Sequence, residues 1–201
     1  ANACIYSKRD LTIEGGGTLT VKGNYKNGIG CKADLKIKTG TINVTAVNHG
    51  LKGNDSVTVQ GNSNVTITSG GDGIQSDNTA YETSAEDLGT VTITSSKKGA
   101  PTLKINSTGD GIQAFGFVNI EDGTIDITSG EDSVKTNGTL AEVTLDDDAV
   151  DADGNALTAV PTDLVLSVIT ISGGDTTINS SQDGIQADTL ITISGGSVTV
   201  Q

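Results

Sequence analysis

The residues best suited to chemistry are aspartates that recur in one short block. Asp-Gly-Ile-Gln begins at Asp72, Asp110 and Asp183, and Asp132 begins the related block Asp-Ser-Val-Lys. Carboxylate and amide oxygens are the ligands that Ca²⁺ prefers, roughly six to eight of them for each ion. The glutamine of each Asp-Gly-Ile-Gln copy adds a second oxygen donor, at Gln75, Gln113 and Gln186. The block therefore indicates a metal-binding surface, provided that the fold brings its copies together.

The blocks repeat as the turns of an array. Two long steps between copies contain insertions near 78–89 and 138–167, and the other steps are about 22 to 24 residues. Each copy also carries two further β-branched stretches in which apolar residues alternate with polar ones. Together with the intervening glycine, asparagine and aspartate turns, this pattern predicts three short strands per repeat. The copies align on the apolar residues Ile5, Ile29, Leu51, Ile74, Ile112, Val134 and Ile185.

Three short strands in each repeat predict an all-β fold, the parallel β-helix. Residues 1–201 are expected to form a single domain of about seven to eight coils. The helix is expected to be right-handed, because parallel crossovers almost always are. Within the larger insertion, 143–145 and 164–166 are predicted as extra strands and 151–155 as a hairpin turn.

Stacking the coils would place equivalent residues about 4.8 Å apart along the axis. Two positions before each aligned apolar residue, this aspartate column reads Ala3, Asn27, His49, Asp72, Asp110, Asp132 and Asp183. Like charges in register destabilise a sheet and raise one another's pKa, and the nearby Lys52 and Lys135 are too few to balance them. We therefore predict that Ca²⁺ binds between adjacent coils, held by the four aspartates, Glu131 and the three glutamines. A second polar line offers further candidate ligands: Asn54, Asp55, Asp77 and Asp188.

Turn chemistry is the competing interpretation of the same aspartates. Aspartate before glycine accepts backbone N–H bonds in a turn, and the glycine adopts dihedrals that other residues avoid. A single copy favours a turn, whereas the stacking and the glutamine at a fixed offset favour a metal. His49 is expected to be a surface histidine. The stretch 151–155 begins like an EF-hand loop but lacks its later glycine and glutamate, which favours the hairpin turn.

Composition excludes several partners. The formal net charge of -13 argues against nucleic acid, which would need a basic face, and disfavours anionic membrane surfaces. No apolar run is long enough to span a bilayer, so membrane insertion is not expected. Cys4 and Cys31 fall in columns that do not stack, which favours a buried core thiol at Cys31 and a free thiol at Cys4. The chain starts and stops within a coil, and we expect it to be a portion of something longer.

The repeated block resembles that of a known family. Asp-Gly-Ile-Gln followed by another Asp, the line 11–21 and the stretch 50–57 are similar to the bacterial cell-surface carbohydrate-binding parallel β-helix proteins. The resemblance implies a fold similar to the family 9 pectate lyases, bound calcium, a pectic or cellulosic ligand, and an extracellular or cell-surface location. In those lyases an acid directly after the aligned apolar residue helps to bind the catalytic calcium, and a lysine acts as base. This chain has glutamine or lysine in place of that acid, which favours binding over catalysis.

These observations predict a non-catalytic protein that binds an acidic polysaccharide such as polygalacturonate, with Ca²⁺ bridging the carboxylates of protein and glycan. Aromatic residues make up 2% of the chain and tryptophan is absent, which argues against a flat stacking platform. The expected sugar contacts are Lys52, Lys135 and Tyr81. Two alternatives stay open. One is a stalk, adhesin or filament subunit that forms homo-oligomers by end-to-end stacking, with calcium as a stabiliser, and the other is a pectate lyase with Lys135 as base.

Overall fold

Three parallel sheets surround one long core. The computed structural model describes residues 2–201, and each sheet has seven strands, one from each coil. The first sheet consists of Ala3–Ser7, Asn27–Cys31, Leu51–Gly53, Ile74–Ser76, Ile112–Ala114, Val134–Thr136 and Ile185–Ala187. The second consists of Leu11–Ile13, Asp34–Ile37, Ser56–Gln60, Thr90–Thr94, Phe117–Ile120, Val168–Ile171 and Leu190–Ile193. The third consists of Thr18–Gly23, Gly40–Ala46, Ser63–Ser69, Thr102–Ser107, Thr124–Ser129, Asp175–Ser180 and Ser197–Val200.

The register of these strands confirms the predicted fold class. Ile74 pairs with Leu51 on one side and with Ile112 on the other, so the aligned apolar residues stack coil upon coil. The apolar residues of the other two sheets stack in the same way, and all three sets meet in one hydrophobic core. Valine and isoleucine suit these positions because their branched side chains pack well on a pleated surface. The chain is a parallel β-helix of seven coils.

The two insertions lie where the sequence predicts them and pack against each other. Ala80–Tyr81 of the first insertion pairs in parallel with Thr144–Leu145 of the second, and short 3₁₀ helices span Ala85–Asp87 and Leu140–Glu142. A second hydrophobic cluster holds the two insertions against the coils: Tyr81, Leu88, Phe115, Val143 and Leu166. The insertions therefore form one subsidiary layer on the helix.

Within the larger insertion, the predicted hairpin turn is present and one of the two predicted strands is not. The hairpin turn is confirmed, because Val150 and Ala156 form an antiparallel bridge and the Asp151 carboxylate accepts the backbone N–H groups of the turn. The predicted strand at 164–166 is wrong, since these residues have no ladder partner in the described chain. Leu166 is buried in the second hydrophobic cluster instead, so its apolar character reflects packing and not strand pairing.

Both cysteines are free thiols, Cys4 exposed and Cys31 buried. The Cys31 thiol donates to the carbonyl oxygen of Ala33 at 3.2 Å, and burial raises the pKa of this thiol. This placement agrees with the sequence prediction of a core thiol. Among residues 2–201, no helix has both the length and the hydrophobicity needed to cross a membrane.

Candidate functional site

The aspartate column forms a hydrogen-bonded ladder between coils. The backbone N–H of Asp110 donates to Oδ1 of Asp72 at 3.0 Å, that of Asp132 to Oδ1 of Asp110 at 2.9 Å, and that of Asp183 to Oδ1 of Asp132 at 2.8 Å. Each carboxylate thus accepts the main-chain donor of the equivalent residue in the next coil. The stacking predicted from the repeat is present, and one oxygen of three aspartates is used for it.

The same ladder continues through the earlier coils with different side chains. The backbone N–H of Asp72 donates to Nδ1 of His49 at 3.1 Å, and that of His49 donates to Oδ1 of Asn27 at 3.3 Å. Carboxylate, imidazole and amide therefore share one structural role, which is to accept a buried main-chain donor at the turn. The expected surface histidine is a partly buried rung of this ladder.

Lys135 supplies the positive charge beside the most buried aspartates. Its Nζ lies 2.8 Å from Oδ2 of Asp132 and 3.8 Å from Oδ2 of Asp110, and both carboxylates are buried. Burial raises the pKa of Asp110 to about 6, although the Lys135 charge and the hydrogen bond from the Asp132 backbone oppose the rise. The hydrogen bond to Asp132 raises the pKa of Lys135, so its ammonium stays charged at neutral pH.

A second line of side chains runs beside the ladder on the outer face of the first sheet. We call it the polar row, and it consists of Lys52, Gln75, Gln113, Lys135 and Gln186, which occupy adjacent register positions in successive coils. Lys52 Nζ donates to Oε1 of Gln75 at 2.6 Å, and Nε2 of Gln75 donates to Oε1 of Gln113 at 2.9 Å. Both lysines predicted to contact sugar therefore lie on one continuous polar surface.

This arrangement gives the aspartate column no calcium cage. The first oxygens of Asp72, Asp110 and Asp132 accept ladder bonds, and their second oxygens face Gln75 or Lys135. In the part of the chain that the structure describes, no group of three or more His, Cys, Asp or Glu side chains is placed to hold a metal ion. Donors from the protein take the positions that a cation would need, so the column as arranged does not fit the ion.

The remaining predicted ligands are also scattered or already paired. Glu131 is exposed, Asp77 lies 2.6 Å from Lys52 Nζ, and Asp188 accepts a hydrogen bond from Gln186 at 3.3 Å. Asn54 donates to Asp55 at 2.8 Å, and burial raises the pKa of that carboxyl. Calcium binding by the aspartate column, or by the line of Asn54, Asp55, Asp77 and Asp188, stays a prediction.

Tyr81 does not reach the polar row. Its ring is buried in the second hydrophobic cluster, and its hydroxyl donates to the carbonyl oxygen of Thr83 at 3.0 Å. The expected sugar contact at Tyr81 is therefore corrected. The residue anchors the first insertion, because its ring packs in the cluster while its hydroxyl keeps a hydrogen-bond partner.

A basic pocket at the first-coil end of the polar row was missed from the sequence. It has a volume of about 300 Å³ and is lined by Lys26, Lys32, Lys52 and His49, among others, and none of the described residues that line it is an aspartate or glutamate. Gly30 lies in the pocket at the register position of Lys52 and the later glutamines. A glycine in a column of long side chains was the one sequence signal that could have indicated it.

The second sheet carries a groove of the opposite charge. The groove has a volume of about 770 Å³, and burial raises the pKa of Asp55 and Glu82 within it. Lys36 is its one cationic lining residue among those described, and its Nζ lies 3.0 Å from Asp34. A polyanion would be repelled here, so the two faces differ sharply in what they can bind. The carboxylates lining it are Asp10, Asp34, Asp55, Glu82, Glu86, Asp87 and Glu121.

Comparison with known proteins places this β-helix in a family. The family model described as "Carbohydrate-binding domain-containing protein" matches residues 1–201, and the chain belongs to this family. A relative with the same description, from Acetivibrio thermocellus, is 60% identical over 45 residues, which is 22% of this chain. The aligned segment spans 16% of that protein's length. No solved structure matches the chain.

Proposed function

We propose that the chain is a non-catalytic module that binds an acidic polysaccharide, such as polygalacturonate, at the cell surface or outside the cell. The observation that carries this proposal is the polar row, a straight line of lysine and glutamine side chains from successive coils. Adjacent strands set its members about 4.8 Å apart. A regular line of donors suits a linear polymer of similar sugars, and the family description supports carbohydrate as the ligand.

Charge decides how an acidic glycan could approach a chain of net charge -13. Lys52 and Lys135 are partly exposed on the polar row, with side-chain exposures of 26% and 22%. Direct binding would use these ammonium groups. Calcium-dependent binding, which the family resemblance implies, would use Ca²⁺ to join carboxylates of the protein and the glycan. The first route needs no rearrangement of the ladder, and the second does.

Lys135 is poorly suited to the base role of a lyase. A general base must be free of its proton at the working pH. The raised pKa of Lys135 and its hydrogen bond to Asp132 keep the ammonium charged. This supports non-catalytic binding over the lyase alternative, and it predicts that no unsaturated, ultraviolet-absorbing product forms from polygalacturonate.

Affinity electrophoresis tests the proposal, in gels with and without polygalacturonate and with Ca²⁺ or chelator. Gln113→Glu adds one carboxylate to the polar row, and Asn106→Asp adds one to the exposed face of the third sheet as the matched control. Direct binding predicts that Gln113→Glu abolishes retardation while Asn106→Asp leaves it unchanged. Calcium bridging predicts the opposite sign, stronger retardation of Gln113→Glu in Ca²⁺ alone. Absence of retardation of the wild-type chain in every gel would end the glycan proposal.

A stalk, adhesin or filament subunit that stacks end to end stays the second candidate function. Sedimentation velocity separates the candidates, because a filament subunit would sediment far above monomer mass without any glycan and a simple binder would not.

A further inference from the structure

The basic pocket reverses the charge of the molecule locally. The chain has 12 lysine and arginine residues against 25 aspartate and glutamate residues. Lys26, Lys32 and Lys52 nevertheless line one pocket with His49, and within residues 2–201 no carboxylate belongs to its lining, although Oδ2 of Asp72 lies 3.2 Å from His49 Nδ1. A cluster of cations that lines one concavity concentrates positive potential there, which favours an anionic ligand over a neutral one.

The pocket exists because Gly30 has no side chain. Its neighbour in the column, Lys52, and the later members of the polar row all project long side chains over this face. A Cβ on Gly30 would come no closer than 3.4 Å to any atom, namely Cβ of Ala3 and the carbonyl oxygen of Lys52. The glycine is therefore not required by backbone packing, and a larger side chain here would occupy the pocket.

The ammonium groups differ in their availability. Lys52 forms an ion pair with Asp77, in which Nζ lies 2.6 Å from Oδ2. Lys26 and Lys32 are exposed, and neither forms an ion pair with any residue from 2 to 201. Lys26 Nζ lies 6.0 Å from the centre of the Tyr25 ring. Two unpaired ammonium groups can thus meet an incoming anion without first breaking a contact within the protein.

We infer that this pocket binds the charged residue of an acidic glycan directly, ammonium to anion, without a metal ion. The inference rests on the proposed function and assigns it a subsite. A volume of about 300 Å³ lies at the low end of the range for small-molecule sites, so it suits one or two sugar residues and not a long chain. Tyr6 offers an aromatic wall for the apolar face of a sugar ring, and Asn27 and Asn48 offer amides for its hydroxyls. The recognised chemistry is a carboxylate or sulfate on a sugar.

Calorimetric titration in chelator tests the inference, with digalacturonate, its methyl ester and sulfated galactose as probes. The wild-type chain is expected to bind digalacturonate or the sulfated sugar but not the uncharged ester. The anion that binds more tightly shows whether the pocket recognises a carboxylate or a sulfate. Gly30→Gln fills the pocket with the side chain found in later coils and should weaken binding at least tenfold. Its matched control is Gly16→Gln, whose side chain would enter open space at an exposed loop.

Charge variants guard against a folding artefact. Lys32→Gln, on the surface, should weaken binding about ten- to hundredfold, because it removes a charge-assisted hydrogen bond to the anion. Lys97→Gln, also exposed but outside the pocket, should leave binding unchanged. Equal binding by Gly30→Gln and the wild type, or binding that requires Ca²⁺, would overturn the inference.

The two proposals can fail separately. If polygalacturonate retards Gly30→Gln and Lys32→Gln as strongly as the wild-type chain, the proposed function stands and the pocket assignment is wrong. If the charged disaccharide binds but the polymer does not, the pocket assignment stands and the proposed function is wrong. If neither polygalacturonate nor any of the small probes binds, both are wrong.

Discussion

Asp132 donates its backbone N–H to Oδ1 of Asp110 at 2.9 Å, across two successive coils. The bond satisfies a buried main-chain donor, which would cost free energy if it had no acceptor. A short acceptor side chain in the same column of the neighbouring coil provides it. The aspartates therefore recur for a structural reason that does not need a metal.

Removing one rung should show this role directly. Asp110→Ala leaves the N–H of Asp132 without its acceptor and should lower the free energy of unfolding by about 1–3 kcal/mol at pH 7. Asp110→Asn supplies an amide oxygen as acceptor without the buried charge, and it should be at least as stable as the wild type at this pH. Chemical denaturation of the three proteins measures the difference, and equal stability of the two variants would contradict the ladder.

The buried charge of Asp110 should appear in the pH dependence of stability. Its pKa is raised to about 6 from an ordinary value of 3.8, so the folded chain binds this proton more tightly than the unfolded chain does. The stabilisation is complete below the unfolded pKa and is lost as the pH rises through the folded one. Lys135, Asp72 and Asp132 are the charged groups that act on Asp110.

Comparison with Asp110→Asn isolates that contribution from the other carboxylates. A pKa rise of about two units corresponds to about 3 kcal/mol. As the pH rises from about 3.5 to about 7, the free energy of unfolding of the wild type should therefore fall by up to about 3 kcal/mol relative to that of Asp110→Asn. Denaturation curves at several pH values measure the change. A difference between the two proteins that stays constant with pH would show that Asp110 titrates normally.

The repeat made the fold predictable, because the same pattern of apolar residues recurs in each coil. Ile74 and Ile112 are 38 residues apart, yet their shared context places them in register. The pairing of Ala80–Tyr81 with Thr144–Leu145 has no such signal, because it involves two residues per strand and occurs once.

The site was less predictable, for two physical reasons. The aspartate column was interpreted through its charges, whereas its main partners are main-chain N–H groups that no residue pattern displays. The basic pocket arises from the missing side chain of Gly30 and from lysines of different coils that only the corner geometry brings together. Tyr81 shows the same limit, since burial of a loop aromatic depends on packing between two insertions.

Lys135 should be essential to the charge balance of the ladder. Lys135→Gln introduces the residue type of Gln113 and Gln186 and leaves Asp110 and Asp132 without their cation. Breaking a buried ion pair from one side costs about 3–5 kcal/mol, and partial exposure of Lys135 reduces the expected loss to about 2–3 kcal/mol. Lys104→Gln, which removes an exposed ion pair with Asp126, should cost under about 1 kcal/mol.

The Lys135→Gln variant also tests what a metal could do at the ladder. With the ammonium gone, two carboxylate oxygens and an amide oxygen would face one another, which is chemistry that Ca²⁺ favours. Thermal denaturation in Ca²⁺ and in chelator should show a larger gain from Ca²⁺ in Lys135→Gln than in the wild type. An equal response would mean that Lys135 does not occupy the place of a cation.

Gly30, in a strand of the first sheet, and Gly73, in the turn directly before another of its strands, should respond oppositely to the same substitution. A Cβ on Gly73 would lie 2.5 Å from the carbonyl oxygen of Gly111 and still closer to a methyl group of Ile105, inside the corner that the core fills. Overpacking of this kind costs about 1–3 kcal/mol. The equivalent position of the sixth coil holds Ser133 instead of glycine, and its buried hydroxyl lies 2.7 Å from that of Ser129, so that coil accommodates a side chain here and the contacts of Gly73 do not.

Gly30→Ala provides the matched comparison, because its Cβ would make ordinary contacts at 3.4 Å and its backbone is not in the left-handed region. Replacing such a glycine restricts the unfolded chain and should raise stability by up to about 1 kcal/mol. Denaturation curves should therefore place Gly73→Ala below the wild type and Gly30→Ala at or above it. A loss at Gly30 as large as that at Gly73 would mean that its glycine serves the fold. In that case the pocket beside it would be a by-product of packing and not a space held open for a ligand.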